Sequence, residues 1–388
     1  MKRILTIFGT RPEAIKMAPV VRELQRRAEV LTSITCVTAQ HRELLDQVLL
    51  DFALIPDVDL DLMEPGQDLY DITSRVLVQL RDVLKQVKPD MVLVHGDTTT
   101  AMAAALAAFY QEIPVGHVEA GLRTFCLSAP FPEEMNRQVV GRLATLHFAP
   151  TVRNRANLIR ENLPQERIHV TGNTVIDALL YMKERILHDP DVHARVAKKI
   201  ADLGLSSPGR NGEHLVLVTG HRRENFGKGF DDICTALADL VTRRNDIRII
   251  FPVHLNPHVK SVVERRLGRH QHVQLVPPLD YETFIWLMHQ SKLILTDSGG
   301  IQEEGPALGK PVLVMRETTE RPEGVEAGTV RLVGTEPKAI VDGVLCLLDD
   351  PEAYSAMACA VNPYGDGQAA QRICDAIEIF FGLRKRVR

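Results

Sequence analysis

Carboxylates follow two apolar segments in the first half of the chain, at the point where each segment ends. Asp97 comes shortly after the apolar run Met91–His95, and Glu119 ends the run Val115–Glu119. The carboxyl ends of neighbouring parallel strands lie side by side, so we expect Asp97 and Glu119 to face one crevice. Carboxylates clustered in a cleft raise one another's pKa and divide acid and base roles between them.

A third acidic position is the pair Glu133 and Glu134, in the sequence Pro-Phe-Pro-Glu-Glu. Each carboxylate also has a structural interpretation. Asp97 could be the N-cap of the helix that follows it, and Glu134 could pair with Arg137 on a helix. Taken together at strand ends, the carboxylates favour a functional site.

Cations stand where the first apolar strand ends. Arg11 and Lys16 follow the run Ile4–Phe8, and open α/β sheets bind ligands at the carboxyl ends of their strands. The two side chains could neutralise a phosphate, or they could be a surface arginine and a helix lysine. In the second half of the chain, His221 likewise follows a strand and could donate a proton or bind phosphate near neutral pH.

The segment Leu293–Val314 reads as strand, tight turn, helix and strand. Ser298, Gly299 and Gly300 would leave backbone N–H groups uncovered at the helix start, where the helix dipole attracts anions. We interpret the turn as a diphosphate site, with an ordinary well-capped turn as the alternative. Glu303 and Glu304 are expected in the first helical turn, where one carboxylate could accept hydrogen bonds from ribose hydroxyls.

Several other chemistries lack their sequence patterns. Only Gly9 stands where a nicotinamide enzyme would need Gly-x-Gly-x-x-Gly, and neither a Gly-x-Ser-x-Gly elbow nor a Gly-Lys-Ser/Thr phosphate loop occurs. His254 and His258 have i,i+4 spacing, but Pro257 lies between them and no Glu follows His254. We therefore predict no metal and no cofactor.

The elements that position these residues alternate between short strands and longer helices, which indicates parallel α/β architecture. Six strands in each half predict two Rossmann-like domains, 1–172 and 173–365, with the last helix in 366–388 returning to the first domain. The strands are expected at Ile4–Phe8, Ser33–Thr38, Met91–His95, Val115–Glu119, Leu146–Ala149, Ile168–Thr171, Leu215–Thr219, Ile247–Val253, Val273–Val276, Leu293–Thr296, Pro311–Met315 and Val330–Val333.

Composition narrows the functional class further. The 388 residues are 45% hydrophobic and 25% charged, with a formal net charge of -4 and basic residues spread along the chain, so we expect no nucleic-acid partner. No apolar run approaches the roughly 20 residues needed to span a bilayer, and the apolar start ends at Gly9, too short for a signal peptide. Six scattered cysteines, none in a Cys-x-x-Cys pair, predict reduced thiols in a cytoplasmic protein.

A set of motifs extends from the first strand to the last helix. They are Gly9–Pro19 (GTRPEAIKMAP), Thr38–Arg42 (TAQHR), His95–Thr100 (HGDTTT), Gly116–Arg123 (GHVEAGLR), Thr171–Thr174 (TGNT), Gly220–Asn225 (GHRREN), Asp297–Glu304 (DSGGIQEE), Glu320–Glu323 (ERPE) and Asn362–Gly367 (NPYGDG). In this order and with compatible spacing, the set resembles the bacterial non-hydrolysing UDP-N-acetylglucosamine 2-epimerase family.

The resemblance implies a glycosyltransferase-B-type fold with an interdomain cleft, and a homodimer. It implies interconversion of UDP-N-acetylglucosamine and UDP-N-acetylmannosamine, through elimination of UDP to a 2-acetamidoglucal and its return, which supplies mannosamine for envelope polysaccharides. By position, the catalytic residues are Asp97, Glu119, Glu133 and His221. The residues that match the family's UDP contacts are Arg11, Lys16, Ser298, Gly299, Gly300, Glu304 and Arg321.

Some members of that family are activated by a second UDP-N-acetylglucosamine beside the active site, and Gln40, His41, Arg222 and His254 match residues of that activator site. The chain departs from those members at Gly66, where they carry an arginine. Three rivals share parts of the pattern: a hydrolysing 2-epimerase that releases free N-acetylmannosamine, a glycosyltransferase of the same two-domain plan, and a nucleotide-sugar-binding regulator without turnover.

Overall fold

A computed structural model describes residues 1–38, 42–62, 64, 66–205 and 212–385 of the chain. Its contacts divide the chain into two compact units. Unit 1 comprises Met1–Ala178 and Gly365–Arg388, and unit 2 comprises Leu179–Tyr364. The sequence placed the boundary between 172 and 173, whereas the contacts divide the chain between Ala178 and Leu179.

Unit 1 contains a parallel sheet of seven strands in the order β3-β2-β1-β4-β5-β6-β7. The strands are β1 Lys2–Phe8, β2 Leu31–Val37, β3 Val58–Asp59, β4 Met91–His95, β5 Val115–Val118, β6 Leu146–Ala149 and β7 Ile168–Val170. The sequence predicted six strands and missed β3. This edge strand has only two residues, paired with Cys36 and Val37, so it lacks an apolar run that a sequence pattern could reveal.

Unit 2 contains a parallel sheet of six strands in the order β10-β9-β8-β11-β12-β13, as predicted. The strands are β8 His214–Thr219, β9 Ile247–Pro252, β10 Val273–Val276, β11 Leu293–Thr296, β12 Val312–Val314 and β13 Val330–Leu332. Two parallel sheets, each flanked by helices, confirm the predicted α/β class.

Sixteen α-helices lie in the described part of the chain. They are α1 Arg11–Arg26, α2 Arg42–Asp51, α3 Leu69–Val87, α4 Thr99–Tyr110, α5 Glu133–Leu143, α6 Val152–Arg160, α7 Thr174–His188, α8 Pro190–Asp202, α9 Lys228–Arg243, α10 Pro257–Leu267, α11 Tyr281–Gln290, α12 Gly299–Ala307, α13 Pro322–Glu326, α14 Pro337–Asp349, α15 Pro351–Ala358 and α16 Ala369–Phe380. None of these helices has both the length and the apolar character needed to cross a membrane.

The central strands are apolar because helices cover both faces of each sheet. All five residues of β4 are buried, and so are the last five of β1. Strands with this sequence character form only where both faces are shielded from water. Their burial fixes the two sheets on which the functional residues stand.

The strand order creates a switch point in each sheet. In unit 1 the chain leaves β1 toward β2 on one side and resumes with β4 on the other, and in unit 2 the same change occurs between β8 and β11. Open α/β sheets bind ligands in the crevice outside the carboxyl ends of the two strands at such a point. A ligand is therefore expected at the turns after β1, β4, β8 and β11.

The C-terminal helix completes unit 1. In α16, Asp375 and Glu378 accept hydrogen bonds from the Arg27 guanidinium at 2.7 and 2.9 Å. At its N-terminus, the backbone N–H of Ala370 donates to the Asp177 carboxylate at 2.8 Å. These bonds join the last helix to the ends of α1 and α7.

The turn after β5 packs tightly on α6. Gly121 has φ +91°, and a Cβ atom at this position would lie 2.3 Å from the backbone oxygen of Asn154. The carbonyl of Gly121 also accepts a hydrogen bond from the Asn157 side-chain amide at 3.0 Å. Only glycine fits the turn, which carries the chain away from Glu119.

We expect Gly121→Ala to destabilise the protein by at least about 2 kcal/mol, because it adds a backbone clash to an unfavourable positive φ. Gly382→Ala is the matched control, since Gly382 has φ +69° with no atom within 4 Å of a Cβ. Thermal unfolding followed by circular dichroism measures both variants. Equal melting temperatures for the two variants would contradict the clash.

Candidate functional site

The turn after β1 is built by a capping box. Thr10 caps α1, and the Glu13 carboxylate accepts hydrogen bonds from the backbone N–H groups of Gly9 and Thr10 at 3.1 and 2.8 Å. Its other oxygen accepts from the Thr98 hydroxyl at 2.7 Å, in the turn after β4. Glu13 thus joins both turns at the switch point of unit 1. The sequence analysis missed it, although the Thr-x-x-Glu spacing is the capping-box pattern.

The two cations predicted after β1, Arg11 and Lys16, have different surroundings. Arg11 is the first residue of α1 and is partly exposed. Its guanidinium makes no hydrogen bond or ion pair to any residue that the structure describes, so it is available to a ligand. The Lys16 ammonium, one and a half helical turns further on, forms a short ion pair with the Glu119 carboxylate.

Glu119 stands just beyond β5, which ends at Val118 rather than at Glu119 as predicted. Its φ of +62° is unfavourable for a residue with a Cβ atom, and such backbone strain clusters at functional sites. The carboxylate accepts a hydrogen bond from the Asn173 amide at 3.0 Å, and His95 Nε2 lies 3.5 Å from it.

Those neighbours determine the charge of Glu119. Burial of most of the side chain would by itself raise the pKa of the carboxyl, but the positive charge of Lys16, and then His95, outweighs the burial and holds the pKa well below its usual range. Glu119 is therefore an ionised carboxylate at neutral pH.

Asp97 stands in the turn after β4, where Thr98, not Asp97, caps α4. Its carboxylate accepts a hydrogen bond from the Arg137 guanidinium at 2.5 Å. Its backbone carbonyl accepts one from the Asn136 amide at 2.9 Å. Both donors belong to α5, so this helix holds the side chain and the backbone of Asp97 together.

The neighbours Glu133 and Glu134 at the start of α5 have separate roles. Glu134 is fully buried, pairs with Arg137 at 3.3 Å and accepts the backbone N–H groups of Thr124 and Phe125 at 3.0 and 3.1 Å. It holds the preceding loop, as the helix-pair alternative anticipated in part. Glu133 is partly exposed, and its carboxylate makes no hydrogen bond or ion pair within the described ranges.

Asp97 and Glu119 follow the carboxyl ends of adjacent strands, which is the placement that the sequence analysis expected. β4 and β5 are neighbours, with His95 paired to Val118, so Asp97 and Glu119 follow adjacent strand ends. Glu133 begins the helix whose Arg137 contacts Asp97.

A buried histidine on β5 holds the turn after β4. Nε2 of His117 donates to the carbonyl of Gly96 at 2.7 Å, and Gly96 has φ +62° in the turn that leads to Asp97. Burial lowers the pKa of His117 to about 3, and it lowers the pKa of His147, opposite it on β6, to about 4. Both rings are neutral at physiological pH.

In unit 2 the turns after β8 and β11 meet at Asp297. Its fully buried carboxylate accepts the backbone N–H groups of His221 and Arg222 at 2.9 and 2.8 Å. The His221 ring stacks on His254 with 5.6 Å between ring centroids. Burial lowers the pKa of His221, which the Asp297 charge partly offsets.

The predicted diphosphate turn begins α12. Ser298 is the N-cap without a side-chain cap bond, and Gly299 and Gly300 are the first two helical residues. Because the helix begins at Gly299, Glu303 and Glu304 lie in its second turn, and the prediction that they occupy the first turn was wrong. The first turn itself carries no acidic side chain, but the Glu320 carboxylate lies beside it, with Oε1 3.2 Å from where a Cβ of Gly299 would stand.

Arg321 is held close to α12. Its guanidinium forms a short ion pair with Glu303, and its backbone carbonyl accepts the Tyr364 hydroxyl at 3.1 Å. The Asn362 amide donates to the backbone carbonyl of Glu303 at 2.9 Å. Two of the sequence motifs, around Arg321 and around Tyr364, thus hold the second turn of one helix.

The structure describes two of the four residues that match the activator site, Arg222 and His254. Gln40 and His41 lie outside the described residues. Arg222 donates to Glu320 at 3.0 Å, and His254 stacks on His221. Among the residues described, no group of three or more His, Cys, Asp or Glu side chains is arranged to hold a metal ion.

Comparison with known proteins gives a consistent result. The family model for UDP-N-acetylglucosamine 2-epimerase matches residues 22–378. The UDP-N-acetylglucosamine 2-epimerase of Salmonella typhimurium is 56% identical over 378 residues, which cover 97% of this chain and 99% of that protein. The enzyme of the same name from Campylobacter jejuni is 52% identical over 377 residues, 97% of each chain.

Solved structures share the fold over the full length. A UDP-GlcNAc 2-epimerase from Neisseria meningitidis, crystallised with UDP-GlcNAc, has a TM-score of 0.86 and 47% identity, covering 98% of this chain and 100% of that chain. An enzyme from Methanocaldococcus jannaschii in complex with UDP-GlcNAc and UDP has a TM-score of 0.77 and 31% identity, with the same coverage.

The buried histidines predict a pH dependence of stability. In the unfolded chain a histidine binds a proton below about pH 6.5, whereas folded His117 does so only near pH 3. The free energy of unfolding should therefore fall as the pH falls from 6.5 toward 3, by about 1.4 kcal/mol per pH unit for each such histidine. Urea unfolding between pH 7 and pH 5 measures the slope.

His117→Gln should make that slope shallower by about one proton, since glutamine retains a donor for Gly96 and does not titrate. His188→Gln is the control, because His188 is exposed on α7. A slope unchanged by His117→Gln would show that this histidine is protonated in the folded chain.

Proposed function

Because the chain belongs to the UDP-N-acetylglucosamine 2-epimerase family, we propose that it interconverts UDP-N-acetylglucosamine and UDP-N-acetylmannosamine without releasing the free sugar. Relatives of 47% and 31% identity were crystallised with UDP-GlcNAc, which supports the substrate. In this proposal unit 1 supplies carboxylates for the sugar and unit 2 supplies donors for the diphosphate.

The chemistry explains why both sets of residues are needed. Carbon 2 of the sugar has no neighbouring carbonyl, so its proton is not acidic enough for direct removal. Elimination of UDP avoids this difficulty. As the C1–O bond breaks, positive charge develops at carbon 1, the carbon 2 proton leaves, and a 2-acetamidoglucal forms. UDP then returns while a proton is delivered to carbon 2 from the opposite face.

The observation that carries the proposal is the largely buried, ionised Glu119, which follows the strand next to the one that leads to Asp97. A fixed negative charge in a water-poor site stabilises an oxocarbenium-like transition state. The lowered pKa of Glu119 suits this electrostatic role better than proton carriage, because an efficient general base has a pKa near the working pH. Proton transfer at carbon 2 then falls to Asp97 or Glu133.

Departure of UDP requires stabilisation of the developing negative charge. The backbone N–H groups at Gly299 and Gly300, the Ser298 hydroxyl and His221 are suited to this in unit 2. In unit 1, Arg11 has a guanidinium without a partner among the described residues. Lys16 matches a UDP contact of the family by position, but its ion pair with Glu119 supports a second role, which is to keep Glu119 charged.

The wider role follows from the family. We propose that the enzyme works in the cytoplasm and provides mannosamine donors for envelope polysaccharide synthesis. All six cysteines are free thiols, which is compatible with a reducing compartment.

We also propose a homodimer. Large apolar side chains are exposed on α3 and α4, with Val78 at 53%, Phe109 at 54% and Tyr110 at 67% exposure. Val78 and Tyr110 line a cavity of about 350 Å³ between these two helices. Apolar surface of this kind suits the centre of an interface between copies. Sedimentation equilibrium of the full chain tests the proposal, and a monomer at micromolar concentration would contradict it.

The direct test of the reaction is a proton NMR time course of UDP-N-acetylglucosamine with the purified protein, without added metal or cofactor. We expect two UDP-linked sugars that approach equilibrium from either side. Free N-acetylmannosamine with stoichiometric UDP would show a hydrolysing 2-epimerase instead. An unchanged spectrum would contradict the proposal.

Asp97→Asn should lower kcat by at least about 100-fold, because it removes a charged group that acts at the sugar and weakens the bond to Arg137. Asp90→Asn is the matched control. Asp90 precedes β4, at the end of the strand opposite Asp97, and its carboxylate pairs with the Lys2 ammonium at 2.8 Å. Near-normal epimerisation by Asp97→Asn, assayed by the same NMR method, would exclude Asp97 as a catalytic residue.

A further inference from the structure

We propose that Asp297 is a positioning residue for His221. Its carboxylate faces Nδ1 of the imidazole and holds the backbone of the same loop, so that Nε2 is the nitrogen presented to the diphosphate. The inference rests on the proposed function only for the identity of that ligand.

The contacts of Asp297 converge on a single loop. One carboxylate oxygen accepts the backbone N–H groups of His221 and Arg222 at 2.9 and 2.8 Å and lies 3.2 Å from the Asn225 side-chain amide. The other oxygen lies 3.1 Å from the His221 backbone nitrogen and 3.5 Å from His221 Nδ1. Four groups of the loop after β8 are thus arranged around one carboxylate.

Asp297 is itself rigidly held. It is completely buried, and its backbone N–H donates to the carbonyl of Thr219 at 3.2 Å, which joins the ends of β11 and β8. The hydroxyls of Thr219 and Thr296 lie 2.6 Å apart, and the Thr296 hydroxyl accepts the N–H of Ser298 at 2.9 Å. The same turn therefore fixes both the carboxylate that faces His221 and the start of α12.

The orientation of the imidazole follows from these positions. The two ring nitrogens stand on different edges of the ring, and the carboxylate attracts the proton to Nδ1, the nitrogen that it faces. About two fifths of the His221 side chain is exposed, so the ring is accessible to a ligand. The His254 ring, stacked on its face, limits rotation.

The charge of Asp297 matters most when UDP departs. In the unliganded protein, burial lowers the pKa of His221, the Asp297 carboxylate raises it, and the charges of Arg222 and His254 lower it. A diphosphate brings a second negative charge to Nε2. An imidazolium between two anions is stabilised, as in an Asp-His pair that supports a developing imidazolium, so Nε2–H can donate to the leaving group.

A purely structural role for Asp297 is the alternative. In that case the carboxylate would order the loop through the backbone N–H groups without affecting the ring. The two roles differ in which nitrogen of neutral His221 carries the proton, and this can be measured whether or not the protein has activity.

The first experiment uses the unmodified full chain labelled with ¹⁵N-histidine, with His221→Gln to assign the resonance. We expect neutral His221 to carry its proton on Nδ1, and we expect UDP to shift the Nε2 resonance. A proton on Nε2 in the neutral ring would overturn the proposal. The Nδ1 tautomer without epimerase activity would leave the inference standing and refute only the proposed reaction.

The second experiment is Asp297→Asn. We expect kcat to fall about 10- to 100-fold, the range for a group that orients a functional side chain, with a smaller change in KM. The pKa of His221 should fall as well, because the one charge that raises it is gone. Glu282→Gln, which removes a fully buried carboxylate paired with Arg195 at 2.5 Å in the same unit, controls for the loss of a buried charge.

An unchanged pKa of His221 in folded Asp297→Asn would overturn the proposal even if activity were lost. If this variant does not fold, the tautomer measured in the unmodified chain decides the question by itself.

Discussion

Burying a carboxylate costs several kcal/mol unless a partner compensates its charge, and unit 1 depends on how this cost is met for the largely buried Glu119. Lys16 provides the compensating charge from α1. The helix must therefore begin close to the end of β1, which the capping box between Thr10 and Glu13 ensures. The ion pair thus joins α1 to the turn after β5, and the capping-box residue Glu13 joins the same helix to the turn after β4.

Unit 2 meets the same physical problem by different means. Asp297 is fully buried, and backbone N–H groups and an amide compensate its charge where unit 1 uses a lysine. Hydrogen bonds to the charged form lower the cost of burial and at the same time order the loop that makes them.

Sequence patterns were sufficient for the features that depend on one strand or one helix at a time. Apolar runs located every strand of unit 2, and the carboxylates Asp97 and Glu119 were identified because they follow such runs. Three features could not be obtained in this way. β3 is too short to show a pattern, and the exact start of α12 depends on the glycines rather than on the acidic residues after them. The pairing of Lys16 with Glu119 joins residues 103 positions apart.

Glu134 illustrates the same limit. Adjacent glutamates look alike in a sequence, but only one of them is fully buried with backbone N–H groups directed at it. That distinction depends on the loop before α5 folding back onto the helix, which is a tertiary property.

The most direct test of the account is the fate of the hydrogen at carbon 2 when UDP-N-acetylglucosamine reacts in deuterium oxide. Elimination and return of UDP predict that both UDP-linked sugars acquire deuterium at carbon 2 as equilibrium is reached. Epimerisation that retains the original hydrogen at carbon 2 would contradict the account, because Asp97 and Glu133 would then have no proton to move.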